Sequence, residues 1–264
     1  MKKILLIIFL VILSLPILFL GFLGFIPGLS TILGTDKPRD LGIKYSQEDL
    51  KSIRAKSHVE YKTLPDSSAP SLTRQFSGKR DIITEFSSVE ITATMNNQPW
   101  KYWPYKNVQV KFNGDGSGEI SGVLIKSRLI GYAVVIGAPK EAVDFAMKFL
   151  PNDPVFYVKM KGSLADNKVA VFEPQSFEIG RIPMPLGLFL STSGIKLIQP
   201  VYAQNPQEMS QELSKVQNKR QLIINFINQK LSSDFGEFYA KKASFGENKL
   251  FFDGALTESI SYSP

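Results

Sequence analysis

Val108-Gln109-Val110-Lys111-Phe112-Asn113-Gly114-Asp115-Gly116-Ser117-Gly118-Glu119-Ile120 decides how this chain is read. Before the turn, Val108, Val110 and Phe112 alternate with Gln109 and Lys111. That period of two marks a strand with one apolar face. Asn113-Gly114-Asp115-Gly116 supplies the residues that a tight hairpin turn accepts, and residues 119–125 return as the partner strand. The pattern recurs outward from this hairpin. Phe156, Val158 and Met160 alternate with Tyr157, Lys159 and Lys161, Ala165-Asp166-Asn167 turns the chain, and residues 168–179 return. Pro174 puts a bulge or an edge in that strand. Residues 80–86 read as a short strand, and 243–245 with 249–256 form a last hairpin about Gly246-Glu247-Asn248. That hairpin, with the helix before it, echoes the helix and hairpin ending at Gly122. One apolar and one mixed face along each strand imply an antiparallel sheet covered on one side.

The cover is expected from helices. Ser46 with Asp49 forms a partial capping box ahead of Leu50, Ile53 and Ser57, which share a face. Ser87 with Glu90 opens a second helix that seats Ile91 and Met95 together and ends near Asn96-Asn97. Pro139 fits the first turn of a third, with Val143, Ala146, Met147 and Leu150 on its buried face. The longest is predicted from Asn205-Pro206 onward. Its stripe is Met209, Leu213, Val216, Ile223, Ile227 and Leu231, interrupted at Arg220. About 25 residues would give a rod on the order of 37 Å.

From Ile4 to Ile26 no side chain is charged; only Lys2 and Lys3 precede the run, and the next charge is Asp36. About 20 apolar residues suffice to cross a bilayer, and the lysines favour a cytoplasmic N-terminus. A retained anchor and a cleaved signal peptide are the two readings; the length of the run and the lack of a small-x-small site favour the anchor. The expected location is the cell membrane, single-pass, with the C-terminal domain extracytoplasmic. The expected fold class is α+β: an N-terminal transmembrane helix, then a curved antiparallel sheet wrapped around a long C-terminal helix. The chain divides into an anchor at 1–27, a juxtamembrane linker with a short helix at 28–79, an ectodomain at 80–256 and a flexible tail at 257–264.

The chain has no cysteine, so the fold rests on burial without disulfides or thiolate metal sites. The net charge of +7 is spread along the sequence. With no basic stripe it does not point to nucleic acid, but it suits an anionic surface. The single histidine, His58, reads as a solvated residue rather than a general base, because catalysis would need a nucleophile and an orienting acid beside it. Gly114, Gly116 and Gly118 lie between strands and open no helix, so they form no dinucleotide loop. No catalytic residue, metal or cofactor is expected.

Two stretches are candidates for contact. Pro99-Trp100-Lys101-Tyr102-Trp103-Pro104-Tyr105 holds both tryptophans of the chain. Trp100, Tyr102, Trp103 and Tyr105 read either as an aromatic plug at one end of the core or as a membrane or ligand contact. Residues 184–203 carry only Lys196 as a charge, so Leu188 and Leu190 belong either to buried cover or to an apolar lip touching acyl chains. Ile223, Ile227 and Leu231 are expected on the inward stripe of the long helix, opposite Val108, Val110 and Phe112.

Three pieces carry a family resemblance: Ser87-x-x-Glu90-Ile91-Thr92-Ala93-x-Met95-Asn96, the hairpin from Val108 to Gly122, and Ile179-Gly180-x-Ile182-Pro183-x-Pro185. Over roughly 80–256 the chain resembles the YpmS-like membrane-anchored proteins and the LmeA-like envelope proteins of bacteria. These are in turn similar to the TULIP lipid-binding superfamily, in which a curved sheet wraps a long helix and leaves an apolar groove. The resemblance implies lipid binding or an envelope role, and it brings no catalytic motif. The expected function is a membrane-anchored, non-enzymatic module holding a lipid or other amphiphile in an apolar groove, with the bilayer and a bound lipid as partners. The alternative is a structural or partner-docking envelope domain.

Overall fold

The Val108–Phe112 hairpin forms as its sequence requires. The structure is a computed structural model and describes residues 14–136, 143–144, 147–148, 150–183, 219–233 and 238–264. Strands β4 (Tyr105–Phe112) and β5 (Ser117–Leu124) pair antiparallel, with Val110 opposite Ile120 and a turn closed by Asn113 N–H donating to Ser117 O. Along β6 (Val155–Ala165), residues 155–161 pair with β5, and its last three residues pair with β9 (Phe238–Gly246). Two hairpins thus share one edge of β6 in succession, while β7 (Lys168–Ile179) takes the other edge and carries the two-residue β8 (Ile182–Pro183). β10 (Lys249–Leu256) and β3 (Arg80–Ser87) continue beyond β9, giving the order β3-β10-β9-β6-β5-β4 in a sheet curled into a half-barrel. Pro174 does mark a bulge: Lys159 pairs with Ser176 and Met160 with Pro174, leaving Gln175 over. Asp166 and Asn167 turn the β6–β7 hairpin with φ of 48° and 56°, as a type I′ turn demands.

The turns of the two hairpins that echo each other in sequence also touch. Asn248 N–H donates to Phe112 O, Gly114 N–H donates to Glu247 Oε2, and the rings of Phe112 and Phe245 stack at 5.1 Å.

The helices correct the expected α+β fold class. The protein is mostly sheet, and the sheet does not wrap a long C-terminal helix. The helix described there, Lys219–Ser233, has 15 residues and packs on β7; residues 205–218, where its start was expected, lie outside the described residues. The core is covered instead by helices from earlier in the chain, α3 (Gln47–Ser57) and α4 (Ser88–Asn96). Leu50 and Ile53 from α3 and Ala93 from α4 meet Phe86, Ala240, Ala243 and Phe252 of the sheet. The physical reason is length: the stripe beyond Arg220 is short, whereas α3 and α4 lie beside the first strands and each begin on a complete capping box. The third helix expected from Pro139 falls mostly outside the described residues.

The single-pass anchor, and the location drawn from it, are corrected as well. Among the described residues no helix is long and apolar enough to cross a membrane. The described part of α1, residues 14–22, stops before Gly24, whose φ of +89° reverses the chain; Pro27 then starts the six-residue α2 (Pro27–Ile32). Ser30 Oγ donates to Gly21 O at 2.6 Å and to Ile26 O at 2.8 Å, tying the two pieces together. A left-handed glycine and a proline thus make a hairpin where the apolar run suggested a continuous rod. Leu15, Phe19 and Ile32 on it are 59%, 62% and 82% exposed.

Residues 28–79 are more than a linker with one helix. The extended stretch before α3 crosses the mixed face of the sheet: Gln109 Oε1 accepts from Leu41 N–H and Ile43 N–H, and the Arg39 guanidinium lies 4.2 Å from the Tyr157 ring centre. β1 (Glu60–Thr63) and β2 (Arg74–Ser77) flank β11 (Ser259–Tyr262), parallel to one and antiparallel to the other. The segment expected as a flexible tail therefore supplies the central strand of a second sheet.

Glu90 locks α3 to α4. It is 3% exposed. Burial alone would raise its carboxyl pKa, but Lys56 Nζ, the Ser52 hydroxyl and the Ser87 amide all donate to it and hold it below the ordinary carboxylate value. A depressed folded-state pKa gives stability that is complete above the unfolded value of about 4.3 and is lost as pH falls through the folded one. Glu90→Gln should therefore melt below the wild type at neutral pH, with the gap closing in acid. A gap that is constant from about pH 7 to pH 3 would contradict this account of Glu90.

Candidate functional site

An apolar cavity of about 410 Å³ lies on the concave side of the sheet, between the strands and helix α6 (Lys219–Ser233). Phe86, Leu164, Phe172, Phe245 and Phe252 from five strands line it, together with Ile227 from α6. No polar atom contributes to its exposed lining. The alternation that builds the strands explains this: the inward residues are apolar, and the charged ones between them fall on the other face. Gly162 is part of the wall, where a Cβ would meet the Phe245 ring at 3.5 Å, an ordinary contact. α6 is fixed over β7 by polar contacts outside the lining. Asn228 Oδ1 accepts from Val169 N–H at 2.7 Å, Asn167 Nδ2 donates to Leu231 O at 2.7 Å, and the Arg220 guanidinium donates to Phe172 O.

Of the residues expected on the helical stripe, Ile227 lines the cavity, Ile223 is half-buried and Leu231 is buried at 8% exposure. The strand residues expected to face them are displaced. Val108, Val110 and Phe112 form a neighbouring cluster with Ile91 and Met95 of α4, joined to the cavity wall through Phe245 and Leu250. Leu188 and Leu190 lie outside the described residues.

The aromatic run forms a corner of its own, and none of its members lines the cavity. Trp100 is 2% exposed and its indole N–H donates to Thr73 Oγ1 at 2.9 Å; Trp103 N–H donates to Met95 O at 2.8 Å. Tyr132, from helix α5 (Lys126–Val135), inserts among Trp100, Trp103 and Tyr105 with ring centres 5.8–6.3 Å away. Burial, and then the neighbouring Tyr132 hydroxyl, push the Tyr105 phenol well above its usual pKa. Gly131 makes this packing possible: a Cβ there would lie 2.1 Å from the Tyr102 ring. The helix carrying Tyr132 was not read from the sequence; the signal was Leu129, Ala133 and Tyr132 around a glycine that only close packing explains.

A polar cluster occupies the opposite face of the sheet. Glu119 accepts from the Tyr157 hydroxyl at 2.7 Å and from Asn113 Nδ2 at 3.0 Å, with Lys159 Nζ at 3.5 Å. Burial and the bond to Glu119 push the Tyr157 phenol up to about 12. Each group is engaged in holding strands and the crossing segment together. His58 ends α3 in a left-handed conformation, φ 54°, with its backbone N–H donating to Arg54 O.

The chain matches no family model, no curated protein and no solved structure. The resemblance to YpmS-like and LmeA-like proteins is carried by the quoted motifs alone.

Proposed function

We propose that this protein is a non-catalytic binding module that takes the hydrocarbon part of an amphiphile into the cavity under α6. The observation that carries this reading is a cavity of about 410 Å³ whose exposed lining is wholly apolar. Ligand cavities commonly span roughly 300–1,000 Å³. An apolar guest gains about 25 cal/mol for each Å² taken out of water, and a wall that exposes no polar atom offers little to hold water in its place.

Native mass spectrometry of the purified protein should detect a co-purified amphiphile. Ile227→Asn tests the location. An amide facing an occupied apolar cavity should expel the tail, so the bound amphiphile should disappear while the delipidated protein loses no more than about 1–3 kcal/mol. A wild type that carries no amphiphile, together with a large loss of melting temperature in Ile227→Asn, would mean the site is ordinary core.

A further inference from the structure

Strand β3 ends the large sheet at the side away from β4, and much of its outer edge is bare. Ser88 N–H donates to Asn248 O one rung past the β3–β10 ladder, which runs without a register shift. Counting back in twos, Phe86, Thr84 and Ile82 direct their backbone groups at β10, while Glu85, Ile83 and Asp81 direct theirs away. Lys56 Nζ meets the outward carbonyl of Glu85 at 3.1 Å. Among the described residues nothing meets the outward N–H and C=O of Asp81 and Ile83. The Ile83 side chain is 74% exposed, on a strand edge of the kind that proteins usually blunt with charge.

Beside this edge, on the face away from the cavity, a groove of about 370 Å³ holds Asp81, Ile83, Asp253 and Tyr239. Asp253 stands opposite Ile83 in the register, one strand in from the edge. The ion pairs nearby join Arg80 to Glu258 and Lys249 to Glu85; among the described residues Asp81 and Asp253 have no such partner. Lys241, which also lines the groove, belongs to β9, two strands in. A strand laid on β3 therefore meets an isoleucine and, two residues away, uncompensated acid. A second copy of β3 is a poor occupant, because seating Ile83 on Ile83 sets Asp81 against Glu85 twice.

We propose that β3 takes up an extended peptide of another protein as an added antiparallel strand, with a β-branched residue opposite Ile83 and, two residues later, an arginine opposite Asp81. Backbone bonds to Asp81 and Ile83 supply the pairing, and the alternate side chains supply the selection. Arginine fits because its long side chain carries a forked guanidinium from Asp81 toward Asp253. This edge does not depend on what fills the cavity.

The probe is a fluorescein-labelled peptide, Thr-Thr-Val-Thr-Arg-Thr-Thr, titrated with the full-length chain and read by fluorescence anisotropy. It should bind about tenfold tighter than the same peptide with glutamate in place of arginine. Methylating the backbone nitrogen of its valine or arginine should abolish binding, because those N–H groups donate to β3; methylating the threonine between them should not. In the protein, Ile83→Pro removes an N–H that does not serve β10, so the fold should stand and binding should be lost. Asp81→Asn should remove most of the preference for arginine over glutamate. Equal affinity for the two peptides, indifference to which nitrogen is methylated, or no binding at all overturns the proposal. The methylated peptides keep it open to refutation should Ile83→Pro fold poorly. Self-association of the chain alone in sedimentation, removed by Ile83→Pro, would make a second copy the occupant and overturn it as well.

Discussion

Trp100→Ala should lower the unfolding free energy by about 3–5 kcal/mol, the cost of emptying a large aromatic from a packed interior. Trp100 is 2% exposed and sits among Tyr102, Tyr132 and the Arg74 guanidinium, while its N–H satisfies Thr73 Oγ1, itself fully buried. Removing the ring leaves a cavity and takes away the donor to the buried Thr73 oxygen, while the Thr73 hydroxyl still donates to Pro70 O. Trp100→Phe separates the two terms. It keeps most of the apolar contact and loses the hydrogen bond, so about 1–2 kcal/mol is expected. Urea unfolding followed by circular dichroism reads both. The same pair of variants judges the aromatic run as a contact surface. Were Trp100 a surface contact, the alanine variant would keep its stability and lose only binding.

Thr92→Val is the second large effect. Among the described residues edge strand β4 has no strand beyond it, and its outward backbone groups are met by one face of α4. Phe112 N–H donates to Ser88 Oγ, Val110 N–H to Thr92 Oγ1 at 2.9 Å and Val108 N–H to Asn96 Oδ1, while Asn96 Nδ2 and Thr92 Oγ1 donate back to Val108 O and Val110 O. Three polar side chains spaced four apart thus act as a strand would. Thr92 is fully buried. Valine keeps its shape and removes its hydroxyl, leaving the Val110 N–H and C=O without partners at a cost of about 2–4 kcal/mol. Thr92→Ser keeps the hydroxyl and should lose only about 1 kcal/mol for the missing methyl. If the two variants unfold at the same urea concentration, the helix is not what satisfies this edge. An uncovered edge also invites another chain to pair with it, so Thr92→Val should show concentration-dependent association in sedimentation that Thr92→Ser does not.

Much of the sheet was legible because its signals are local. The turn residues at 113–116 and 166–167, the alternation in β4, β6 and β7, the bulge at Pro174 and the capping boxes at Ser46 and Ser87 each depend on a few neighbours in sequence. What covers the sheet was not legible in the same way. Of the apolar stripe at Ile223, Ile227 and Leu231, Ile227 lines the cavity and Leu231 is buried, but the period of the stripe says nothing of which strands lie opposite. Ser88, Thr92 and Asn96 were visible as a polar stripe on a helix whose other face is apolar; reading only Ile91 and Met95 missed the strand edge that the stripe serves. Seven of the sixteen residues of the cavity wall come from β6 and β7, and of these the alternation marked only Met160, without showing that space remained beside it. The apolar run near the N-terminus was read by composition over its length, whereas Gly24 and Pro27 set its local geometry.

The placement of β11 has a kinetic meaning. Ser259 pairs with Ser77, and their hydroxyls meet at 2.7 Å across 182 residues of chain. On its other side the same strand lies parallel to β1, with Glu60 opposite Ser259. Among the described residues neither outer strand has another partner in that sheet, so both wait for a segment whose approach requires closing a very long loop. Such contacts repay their entropy only after most of the chain is already ordered. The β4, β5, β6 and β7 hairpins of the large sheet can assemble locally, whereas β3, which pairs with β10 far along the chain, and the three-stranded sheet must each close a long loop and are expected to form late.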